Sequence, residues 1–94
     1  MRIRHFVHKA VRRLFEDGDP KGLPPETVDK VRKMLAFLQD MGDAGELRDI
    51  PVWKAHRLTG DRKGTWSLHV TRSWRLTFRV EGDGIADVDF EDYH

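Results

Sequence analysis

The amino-acid sequence predicts an α+β fold of element order β-α-α-β-β-β, with two N-terminal helices packed on a mainly antiparallel sheet. Three observations predict it. Apolar residues recur at helical spacing in two segments before Gly42. From Trp66 to Phe90 they alternate with polar residues at a period of two, the mark of half-buried strands. Turn chemistry separates the segments at Asp19-Pro20-Lys21-Gly22 and at Glu81-Gly82-Asp83-Gly84. A chain of 94 residues predicts one domain, 1–94, with a single small core.

Ile3 to Phe6 reads as a short first strand. Val7, Ala10, Val11, Leu14 and Phe15 then form an apolar helical stripe, with Lys9, Arg12, Arg13 and Glu16 on the other side. Gly18 suits the position just past that helix. A second helix starts at Pro24-Pro25, where a missing N–H costs nothing. Its stripe is Val28, Val31, Leu35 and Leu38 with Met34 and Met41 beside them, and Gly42 ends it. Residues 43–55 form a connector anchored by Leu47, Ile50 and Val52.

Three strands follow. Trp66, Leu68 and Val70 share a face, as do Trp74, Leu76, Phe78 and Val80, and Ala86, Val88 and Phe90 point inward on the last. Parity then turns Ser67, His69, Arg75, Thr77, Arg79, Asp87, Asp89, Glu91 and Tyr93 outward. With Val80 facing Ala86, Arg79 lies opposite Asp87 and Arg75 opposite Glu91. Trp66 and Trp74 fall on the core parity and read as packing residues. His5 and His8 read as surface, and His69 is assigned no role.

The net charge of +1 conceals an asymmetry. Residues 52–79 hold seven bases and one acid, a balance of +6; residues 81–94 hold six acids and no base, −6. Adjacent strands of opposite sign neutralise each other, and the basic part also suits a polyanion. There is no cysteine, which excludes a disulfide framework and a thiolate zinc site and fits a reducing compartment. The longest wholly apolar run, Met34 to Leu38, is far too short to span a bilayer, and no apolar segment near the N-terminus reads as a secretory signal.

Four groups of residues then act together: Ile3 to Phe6 leading into the Leu14-Phe15 helix; His56-x-Leu58-x-Gly60-Asp61-Arg62-x-Gly64-x-Trp66-Ser67; Trp74-Arg75-x-x-Phe78; and Asp92-Tyr93-His94. Over the whole chain they resemble the HigB-type toxins of the RelE superfamily. The resemblance implies a RelE-like small ribonuclease fold. It implies a type II toxin that cuts mRNA in the ribosomal A site without a metal or cofactor, by attack of the ribose 2′-OH on the adjacent phosphate. It further implies a cytoplasmic protein whose partners are a HigA-like helix-turn-helix antitoxin, the 70S ribosome and mRNA, with operator DNA reached only through the antitoxin and no membrane. Carried over residue by residue, the catalytic set is His56, Arg75, Asp92, Tyr93 and His94. One position departs: well-matched members carry a lysine just before the Gly-Asp of the loop, and here Thr59 stands there, with Lys63 or Arg62 as substitute cations.

The chemistry suits these residues. Histidine serves as acid or base near neutral pH. Arginine offers a planar, permanently charged fork to phosphate oxygens. Arg57, Arg62, Lys63 and Arg72 are expected RNA contacts. His94, Asp92 and Asp89 match no strong metal-ligand spacing, so no metal is expected. Two other functions fit the same fold: a ParE-type toxin that inhibits gyrase without nuclease chemistry, and a decayed module that only binds RNA or a partner. The acid–base set argues against the first; Thr59 leaves room for the second.

Overall fold

The computed structural model describes residues 1–93. The elements are β1 (Arg2–Ile3), α1 (Lys9–Asp17), α2 (Val28–Asp40), β2 (His56–Arg57), β3 (Thr65–His69), β4 (Trp74–Glu81) and β5 (Gly84–Asp92), with short 3-10 turns at Pro25–Thr27, Ala44–Asp49, Pro51–Trp53 and Gly60–Arg62. The strands form one sheet in the order β1-β5-β4-β3-β2. β1 runs parallel to β5, and the other pairings are antiparallel. The α+β class expected from the sequence is therefore the one observed, with one strand more: His56-Arg57 pairs with β3 although two residues are too few to show a period.

Local chemistry explains the helix ends. The His8 ring accepts from the Val11 N–H at the start of α1. Gly18 closes it at φ 71°, its N–H reaching the carbonyls of Arg13 and Leu14. Pro25 opens the turn that feeds α2, while Met41, in extended conformation, rather than Gly42 ends that helix. Ala10, Val11 and Leu14 of α1 and Val31, Met34, Leu35 and Leu38 of α2 are buried against Leu68, Leu76, Phe78, Ile85 and Val88 of the sheet. Trp66 is buried, and Trp74 stacks on Phe90 at 4.7 Å, so both tryptophans pack as parity predicts. Phe78 lies at the centre and is fully buried. Phe78→Ala is expected to cost about 3–5 kcal/mol, because the emptied volume cannot collapse; urea unfolding of the variant measures it.

One pairing differs from the parity reading. Arg75 faces Glu91 as expected, but Arg79 faces Ala86, not Asp87. Between Thr77 and Arg79 two residues of β5 oppose one of β4, a bulge, and Asp87 there has φ 54°. The extra residue reverses the parity beyond it. Ile85 fills the core and Ala86 turns to the outer face. Asp87 instead meets the His5 ring at 2.9 Å.

Candidate active site

The outer face of the sheet carries two rows of side chains set by the backbone register. Glu91, Arg75 and His69 stand side by side across β5, β4 and β3. The next row is Asp89, Thr77, Ser67 and His56, reaching β2. Arg75 and His56 are thus two strands and one row apart, about 12 Å between backbones, which leaves room for a phosphate between their side chains.

Arg75 is the hub. Its Nη2 lies 3.4 Å from Glu91 Oε1, and its guanidinium sits 5.6 Å from the centre of the Tyr93 ring. Its Nε is buried and, like Ser67 Oγ, has no partner among the described residues. Tyr93 is held beside it by two bonds. Its backbone N–H donates to the Ser73 carbonyl at 3.1 Å, and its hydroxyl meets His69 Nδ1 at 3.0 Å. His69 is therefore part of this cluster, although sequence reasoning assigns it no role. The available signal was its outward parity next to Arg75; the contact itself depends on the chain turning past Asp92 to reach Ser73. Burial lowers the His69 pKa, and the nearby Lys54 and Lys30 charges lower it further. These shifts favour the neutral ring, which can hydrogen-bond the tyrosine hydroxyl.

His56 is exposed, and its Nδ1 lies 2.9 Å from the Lys54 carbonyl. A carbonyl only accepts, so Nδ1 carries the proton and Nε2 remains the acceptor in the neutral ring. A cavity of about 280 Å³, lined by Lys30, Lys33, Trp53 and His69 among others, opens between α2 and this end of the sheet. Asp92 pairs with Trp74 and so stands on the parity opposite to Arg75. His94 lies outside the described residues.

The four expected RNA contacts divide. Lys63 and Arg72 are exposed. Arg57 is exposed as well, with its guanidinium 5.2 Å from the Trp66 ring. Arg62 is engaged within the protein: Nη1 and Nη2 donate to the two Glu91 oxygens at 2.6 and 2.5 Å. Thr77 Oγ1 donates to the same carboxylate. These bonds, Arg62 foremost, hold the Glu91 carboxyl down at about 2. A depressed carboxyl contributes stability that is complete above the ordinary value near 4.5 and is lost as pH falls toward 2. Glu91→Gln is therefore expected to flatten the fall in melting temperature between pH 5 and pH 2.5, read by circular dichroism.

Fold and site together describe a small α+β protein whose outer sheet face sets arginine, histidine and tyrosine beside a carboxylate, and comparison with known proteins gives the class. The family of HigB-like toxins, described as the RelE-like toxin of the type II toxin–antitoxin system HigB, matches residues 4–94. Endoribonuclease HigB of Proteus vulgaris is 39% identical over 93 residues, which cover 98% of this chain and 99% of that protein. This chain belongs to the HigB-like toxin family. Among solved structures, a mutant of YafQ from E. coli superposes with a TM-score of 0.59 at 17% identity, covering 99% of this chain and 94% of that one. The YoeB–YefM complex from Staphylococcus aureus gives 0.57 at 20%, covering 100% and 99%. At such identities these two bear on the fold alone. No helix among the described residues is long and apolar enough to cross a membrane.

Proposed function

We infer that this HigB-like toxin is an endoribonuclease that cuts mRNA in the ribosomal A site, acting as one domain over residues 1–94 in the cytoplasm. The name of the Proteus vulgaris relative supports the reaction class. The observation that carries the reading is the convergence of Arg75, Tyr93 and His69 on one face with His56 on the neighbouring row. Phosphodiester cleavage needs a base to take the 2′-OH proton, an acid to protonate the leaving 5′-oxygen, and a cation for the charge on the phosphorane. His56 Nε2 is the acceptor suited to the first task. Tyr93, backed by the His69 ring, and the adjacent His94 suit the second. Arg75 suits the third. Asp92, on the parity opposite to Arg75, enters the set as the carboxylate next to Tyr93 and His94 in the chain, suited to orient the His94 ring. Arg57, Lys63 and Arg72 bind RNA phosphates. Arg62 does so only in part, its Nη groups being held by Glu91.

A HigA-like helix-turn-helix antitoxin holds the toxin inactive, and the complex meets operator DNA through that partner. Induction without the antitoxin, followed by pulse labelling, tests the reading. Protein synthesis is expected to stop first. Arrest of DNA synthesis ahead of translation would move the function to gyrase inhibition.

A further inference from the structure

We propose that Glu91 is a positioning residue of this site: its carboxylate holds Arg75 and, through Arg62, the basic loop 58–64, in the arrangement in which they meet the RNA phosphate. The inference rests on the proposed function and assigns a role to a side chain that touches neither base nor nucleophile.

Three donors from two elements converge on this one carboxylate. Arg62 comes from the loop, bidentately; Thr77 comes from β4; Arg75 comes from β4 directly opposite. The loop between β2 and β3 follows the strand that carries His56, and it carries Lys63. The Arg62–Glu91 bond spans 29 residues of sequence and joins that loop to the last strand. Without it, the loop would be tied to the sheet chiefly by its flanking strands, among them the two-residue β2. Charge points the same way. Two guanidiniums around one carboxylate leave one positive charge for substrate, and without the carboxylate the two cations would repel each other. The cluster is also not a closed structural ion pair, since Arg75 Nε and Ser67 Oγ lack partners among the described residues beside it.

Glu91 is not itself an acid or base of the reaction. Its oxygens are occupied by donors, and its carboxyl, held near 2, is far from the range in which a carboxylate takes up protons at neutral pH. Its role is therefore geometric, and a displacement of about 1 Å at such a site costs on the order of 10²-fold in rate.

The test uses ribosomes programmed with one message and compares wild type, Glu91→Gln and Glu91→Ala. Glu91→Gln keeps the shape and half of the acceptors, so a folded variant is in hand even if the alanine one is unstable. The expected result is a kcat lowered about tenfold to a hundredfold in Glu91→Ala and less in Glu91→Gln, with KM little changed. Added formate, which fits the vacated carboxylate position, is expected to restore much of the lost kcat in Glu91→Ala. A structural role alone would lower melting temperature and activity together and give no rescue by formate; that result, or an unchanged kcat in both variants, overturns the inference. Failure of the wild-type toxin to cleave would instead overturn the proposed function on which it rests.

Discussion

Arg75→Ala is expected to lower mRNA cleavage by about 10²–10³-fold, the loss typical of removing one preorganised group that stabilises developing charge. Arg75 stands in the middle of the outer face, between Glu91 and His69 and over the Tyr93 ring. Among the described residues it is the one guanidinium in contact with both the charge cluster and the tyrosine–histidine pair. The fold should survive the change. Glu91 keeps its bonds to Arg62 and Thr77, so no buried carboxylate is orphaned, and the expected cost stays within the roughly 0.5–3 kcal/mol of an ordinary substitution. Arg75→Lys retains charge but not the planar fork, and should fall between the two. Single-turnover cleavage and urea unfolding measured on the same preparations separate the effects. A rate loss that merely follows a lost melting temperature would make Arg75 structural.

His94→Ala is expected to cost about 10²–10⁴-fold in cleavage, the usual worth of a general acid or base. His94 follows Tyr93 directly, and Tyr93 is fixed next to Arg75 by Ser73 and His69. Helices, sheet and antitoxin binding should be unaffected, because the core ends at Phe90. Tyr93→Phe serves as the companion: it keeps the ring under Arg75 and removes only the hydroxyl that meets His69. Primer extension with matched amounts of each protein gives the rates. Equal cleavage by wild type and His94→Ala would leave Tyr93, Asp92 and His56 to carry the proton transfers.

Much of this arrangement was legible in the sequence because sheet parity is a strict period. It set Arg75 opposite Glu91, turned Tyr93 to the same face and put Trp66 and Trp74 in the core. Parity failed where the backbone departs from a regular ladder. The bulge at Asp87 adds one residue, so Arg79 met Ala86 and Ile85 took the core position expected of Ala86. Nothing in the side-chain pattern announces such an insertion. Strand β2 was missed because two residues carry no periodicity. The Arg62–Glu91 bond was missed because it joins a loop to a strand far away in sequence, and local charge patterning sees only neighbours. His69 sat on the right face, but its tie to Tyr93 depends on how the chain bends after Asp92.

The most direct test of the endoribonuclease reading is to map mRNA 5′ ends in ribosome-bound and free RNA after the toxin is induced without its antitoxin. New 5′ ends carrying hydroxyl groups, at positions set by the A-site codon and confined to ribosome-bound message, are the predicted result, and they should be missing with Arg75→Ala. Cell killing without new ends, or the same ends in RNA stripped of ribosomes, would contradict it.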